Sequence, residues 1–122
     1  MRGKCKKFKG AMLLDAYILL FLRDEPNHGY NLVQKLNDCG FQINEPTIVY
    51  RQLKQLENMN YIYSKIFPSE EGPPKKVFYI TKLGILYLEE ISNLIKERIN
   101  ILNKFINEYE RSGKNENSNS VN

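Results

Sequence analysis

Tryptophan is absent from these 122 residues, histidine occurs once and cysteine only twice. Cys5 and Cys39 lack any Cys-x-x-Cys spacing, which argues against a disulfide scaffold and favours a reducing, cytoplasmic setting. His28 has no spaced companions for catalysis, and a metal site built from Cys5, His28 and Cys39 would have no spacing signature. No metal or other cofactor is therefore expected. The chain also lacks a glycine-rich phosphate loop, a nucleophile elbow and a suggestive pair of carboxylates, so an enzyme is not expected either.

Long apolar runs are missing as well. Residues 11–22 form the greasiest stretch, well short of the roughly 18 uninterrupted residues that a membrane span requires. A basic start followed by such a run has the order of a secretory signal. However, Asp15 interrupts it, Arg23, Asp24 and Glu25 follow it, and no small-x-small cleavage site appears. In a soluble chain, apolar content on almost every side predicts a first helix covered by its own core or by a second subunit.

What is abundant is positive charge. Lysine and arginine number 18 against 14 acidic residues, giving a formal charge of +4. Arg2, Lys4, Lys6, Lys7 and Lys9 make residues 1–9 a basic arm, read either as a nucleic-acid tether or as a solvated terminus. The balance suits a polyanionic partner without identifying one.

The length admits one modest core with appendages. Asn27 stands where a cap would open a second helix near Gly29, with Tyr30, Val33 and Leu36 on its inner face and Gly40 at its end. Asn44-Glu45-Pro46 announces a third helix running to about Met59. On that helix Val49, Leu53 and Leu56 form an inward stripe, while Thr47, Arg51, Lys54 and Asn58 recur on the opposite face as donors suited to phosphates or base edges. Residues 61–67 and 76–80, separated by Pro68-Ser69-Glu70-Glu71-Gly72-Pro73-Pro74, predict a two-stranded hairpin. Thr81 then caps a long last helix over residues 82–109. Leu88, Ile95, Leu102 and Tyr109 repeat every seven residues, and Ile91 and Phe105 fall between them, although Arg98 interrupts the series. Such a seam favours docking on another helix, and the nearest candidate is an identical chain or the apolar first helix of that chain.

The fold class that follows is mainly α with a small β-hairpin: a winged helix-turn-helix domain plus a long C-terminal dimerisation helix. The expected divisions are a basic arm at 1–9, the winged domain at 10–81, the dimerisation helix at 82–110 and a disordered tail at 111–122. Double-stranded DNA is the expected partner, met by Thr47, Tyr50, Arg51, Lys54 and Gln55 on the recognition helix and by Lys75 and Lys76 on the wing. Leu88, Ile91, Ile95, Leu102, Phe105 and Tyr109 are the expected homodimer interface. Tyr17, Phe21, Tyr87 and Ile91 form a candidate pocket for a small-molecule effector, against the competing reading that they simply pack. A winged helix used as a protein-interaction module that does not bind DNA stands as the alternative, because fold does not fix function.

Several words in the chain are more specific. Pro26-Asn27-His28-Gly29-Tyr30, Tyr50-Arg51-x-Leu53-x-x-Leu56-Glu57, the wing from Gly72-Pro73 to Tyr79, and Thr81-x-x-Gly84 together resemble the PadR-like transcriptional regulators. The single long last helix looks like the short-chain branch of that family. Residues 37–41 with Val49-Tyr50-Arg51 are similar to polyhydroxybutyrate-responsive repressors, without that ligand being carried over. The resemblance implies a homodimer on a pseudo-palindromic operator, acting as a repressor. Two departures stand out: many members have glycine near Asn60, and many have arginines where this wing carries Lys75 and Lys76. Lysine keeps the charge but loses bidentate geometry, which favours positioning over base reading.

Overall fold

The computed structural model describes residues 10–119. The basic arm at 1–9, Cys5 included, lies outside the described residues. The order of elements is α1 (Gly10–Asp24), β1 (Asn27–His28), α2 (Gly29–Asp38), α3 (Thr47–Asn58), β2 (Ile62–Phe67), β3 (Lys75–Ile80) and α4 (Lys82–Asn119). Two compact units divide within α4, between Ile91 and Ser92.

The first unit is the winged helix. Its core gathers Ile18 and Leu19 of α1, Leu32 and Leu36 of α2, Val49 and Leu53 of α3, Ile62 of β2 and Ile91 of α4, all essentially inaccessible to solvent. Each such side chain contributes about 1.5–3 kcal/mol through burial, so the core is an adequate anchor for a domain of this size. The expected stripe of α3 is confirmed, with Val49, Leu53 and Leu56 all buried.

Both α2 and α3 stop by the same device. Gly40 (φ +102°) and Asn60 (φ +66°) adopt left-handed backbone, and the amides of Phe41 and Tyr61 reach back to the carbonyls of Leu36 and Leu56 at 3.1 and 3.0 Å. The glycine expected near position 60 is thus replaced by asparagine, the residue that tolerates this conformation next best.

Around Asn27 the sequence reading needs correction. His28, not Asn27, occupies the position before α2 and makes no side-chain cap bond. Asn27 is buried, its Oδ1 accepting from Asn31 Nδ2 at 3.1 Å, and with His28 it forms a short strand paired antiparallel to Phe78 and Val77. The wing is consequently a three-stranded sheet of order β1-β3-β2, one strand more than the expected hairpin. Tyr30 also leaves the inner face assigned to it. α2 buries Gly29, Leu32, Val33 and Leu36 instead.

Thr81 fastens the wing to α4. Its Oγ1 accepts from the Gly84 amide at 2.9 Å, as a cap should, and donates toward the carbonyls of Asn60 and Tyr61 at 2.7 and 3.0 Å. Gly84 is required there, because a Cβ at that position would come within 2.1 Å of the Tyr61 carbonyl oxygen.

The second unit holds the rest of α4. Helix continues to Asn119, so the tail expected over 111–122 begins as helix and the boundary at 110 is not a helix end. Along this stretch Ile99, Ile101, Leu102, Phe105, Ile106 and Tyr109 are exposed, and Phe105 and Tyr109 stack with centroids 6.2 Å apart. Among the described residues, no helix is long and apolar enough to cross a membrane.

Candidate nucleic-acid interface

Burying Val49, Leu53 and Leu56 fixes the rotation of α3 and leaves its opposite face in solvent. Thr47, Tyr50, Arg51, Lys54 and Gln55 are all exposed on that face. The packing that holds Tyr50 begins in α2: the ring lies against the backbone of Gly29, where a Cβ would meet it at 2.4 Å. A side chain at position 29 would displace the Tyr50 ring.

Beside this face lies an open cleft of about 780 Å³ between the start of α2, α3 and the wing. It is lined by His28, Gly29, Tyr30, Tyr50, Leu53, Lys54, Pro73, Pro74, Lys75, Lys76 and Phe78. Four of the seven residues expected to contact DNA, Tyr50, Lys54, Lys75 and Lys76, therefore meet around one depression. Thr47, Arg51 and Gln55 lie on the exposed surface of α3 outside it. Tyr30, Pro73 and Pro74 are additions that sequence reasoning missed. The Asn27-His28-Gly29-Tyr30 word marked the spot, but nothing local in it says that Tyr30 faces outward.

The two wing lysines are not equivalent. Lys76 lies 4.0 Å from Glu57 Oε1 and over the Phe78 ring at 5.5 Å, while Glu57 Oε2 accepts from Ser64 Oγ at 2.7 Å. Glu57 thus ties the end of α3 to β2 and β3 and partly neutralises Lys76.

Behind the recognition helix sits a buried carboxylate. Asp15 of α1 is 8% exposed, and its Oδ1 accepts from Gln52 Nε2 of α3 at 2.5 Å. Burial raises its pKa, and the bond from Gln52 partly opposes that rise. Tyr87 of α4, stacked on Tyr61 at 4.2 Å, is pushed up to about 12, first by its own burial and then by the negative charge of Asp15. One acid therefore joins α1 to α3 and acts electrostatically on α4.

The remaining expected residues fall out as follows. Leu88 and Ile91 are buried within the winged unit, so they serve the protomer's own core and are not an exposed dimer surface. Ile95 is half-buried, whereas Leu102, Phe105 and Tyr109 are exposed. Of the candidate effector residues, Tyr17 packs against Phe21 and Phe41 at 6.0 and 5.3 Å, Tyr87 stacks on Tyr61, and Ile91 is fully buried. All four are engaged in packing, which is the competing reading of them.

Comparison with known proteins fits this geometry. The PadR-like transcriptional regulator family matches residues 18–90, from the middle of α1 into the first turns of α4. An uncharacterized protein of Lysinibacillus sphaericus is 32% identical over 89 residues, covering 69% of this chain and 76% of that protein. A PadR-like transcriptional regulator from Bacillus cereus has a similar structure, with a TM-score of 0.69 and 27% identity over 79% of this chain and 93% of the other. Bacillus subtilis PadR, solved in complex with operator DNA, has a TM-score of 0.58 and 22% identity over 64% of this chain and 45% of its own, a likeness of fold. These matches speak to the family and not to its polyhydroxybutyrate-responsive members. The chain belongs to the PadR-like family of transcriptional regulators.

Proposed function

We propose that this protein is a sequence-specific DNA-binding repressor that works in the cytoplasm as a homodimer on a pseudo-palindromic operator. The observation that carries this reading is the division of α3 into a fully buried stripe and an exposed face of Thr47, Tyr50, Arg51, Lys54 and Gln55, flanked by the wing lysines. In the major groove, such a face offers Arg51 and Gln55 to base edges and Lys54 to a phosphate, while Lys75 and Lys76 meet the flanking backbone. The operator complex of Bacillus subtilis PadR supports the same use of this fold.

Dimerisation is assigned to α4 beyond Ile91, where Ile95, Leu102 and Tyr109 continue the seven-residue series after Leu88 and Phe105 falls between them. Two recognition helices held by a dimer must match half-sites about one helical turn apart, so a change in the angle between subunits weakens both contacts together.

Titration of duplex DNA at several salt concentrations tests this. Arg51→Ala and Lys54→Ala are each expected to cost about 1–3 kcal/mol of binding and to leave the dimer intact, and Lys54→Ala should lower the salt slope by about 1. Loss of the dimer in either variant would mean that the faces of α3 are assigned backwards. Failure to bind any duplex at every salt concentration would favour the protein-interaction module.

A further inference from the structure

Tyr30 is 62% exposed at the edge of the cleft, and neither the core nor the recognition helix accounts for it. α2 buries its apolar face without this ring. Tyr50 lines the same cleft, seated on Gly29, so two tyrosines from different helices border one depression. Lys54, Lys75 and Lys76 also line it, and no carboxylate is among the lining residues. Lys76 is the weakest of the three cations because Glu57 stands 4.0 Å from it.

Such a lining combines hydroxyl and ammonium donors with ring and proline faces. A peptide of mixed charge would find cations there with no acid to match its own. The backbone of a nucleic-acid strand alternates anionic phosphates, which need donors, with deoxyribose rings, which need apolar faces. We propose that this cleft seats the sugar-phosphate backbone of one DNA strand, and that the Tyr30 hydroxyl donates a hydrogen bond to one of its phosphates. The assignment rests on the DNA-binding reading above and adds to it a contact from α2, outside both the recognition helix and the wing. Tyr30 carries no charge, so its contact orients the strand while the lysines supply the attraction.

The test is Tyr30→Phe, which keeps the ring and removes only the hydroxyl, titrated against the operator duplex recovered by selection from random sequences. Affinity should fall about ten- to a hundredfold, the range for a hydrogen bond to a charged group, with the slope of log K against log salt unchanged because no cation is lost. A scan of duplexes carrying a single methylphosphonate should find one position at which the wild-type chain loses affinity and Tyr30→Phe loses no more. Equal affinity of the two proteins, a reduced salt slope in the variant, or a penalty that persists with every modified duplex would overturn the assignment and leave the DNA-binding reading standing. A wild-type chain that binds no duplex at all would overturn both.

Discussion

Residues 10–24 and residues 92–119 are both helical and both rich in large apolar side chains, yet their exposure is opposite. α1 buries Met12, Leu14, Ala16, Ile18, Leu19 and Leu22, and even its one mid-helix acid, Asp15, is covered. The later stretch leaves Ile99, Leu102, Phe105, Ile106 and Tyr109 in solvent. The sequences differ in how the apolar residues are spaced. In α1 they follow one another around the whole helix, a pattern stable only when covered on most sides. Beyond Ser92, lysine, glutamate and asparagine separate apolar residues mostly three and four apart, which makes one face for another helix. The first stretch holds a protomer together, and we assign the second to holding two protomers together.

Three substitutions sharpen or break that contrast. The largest effect is expected from Leu102→Glu, which places a charge on the proposed seam. Sedimentation should show monomers, and operator affinity should drop at least about 100-fold as the two half-sites become independent, while the winged unit stays folded. A variant that remains dimeric would remove residues 92–119 from the interface. Leu19→Ala should do the converse, lowering stability by about 2–5 kcal/mol in urea unfolding while dimers persist among folded molecules. Dissociation of the folded protein by Leu19→Ala would mean that α1 also belongs to the interface.

Asp15→Asn is expected to have the smallest effect and depends on pH. Burial holds the Asp15 carboxyl above its ordinary value of 3.8. The native chain therefore keeps this proton to a higher pH than the unfolded chain does. Its contribution to stability is greatest below pH 3.8 and is lost as pH rises through the folded value. Asparagine preserves an acceptor for Gln52 and never ionises. The variant should be the more stable of the two at pH 7, with the gap closing in acid. A difference that does not vary with pH would mean that Asp15 ionises as readily in the fold as outside it.

Local signals were legible in the sequence and distant ones were not. The Val49-Leu53-Leu56 stripe, the turn at Gly40 and the Thr81 cap each depend on residues a few positions apart, and each appears in the structure as read. The polar face of α3 follows from the same periodicity. By contrast, β1 is two residues long and exists only because Val77 and Phe78 offer it a partner some fifty positions away. An asparagine before a helix looks the same whether it caps or, like Asn27, is buried in a strand. Spacing reads Tyr30 as core because it stands three residues before Val33, on the same side of a helix, and nothing local shows that the ring turns outward. Leu88 begins the seven-residue series and Ile91 falls just after it, but both are buried within the winged unit, so the seam becomes available to a partner only after them. The extension of α4 to Asn119 was hidden by a polar composition that carries no apolar stripe.

A binding selection from random duplex DNA with the purified chain tests the central claim most directly. A two-fold-symmetric motif, with half-sites about one helical turn apart and two chains per duplex, is the predicted result. Enrichment of no motif, or of an asymmetric site bound by a single chain, would contradict the account.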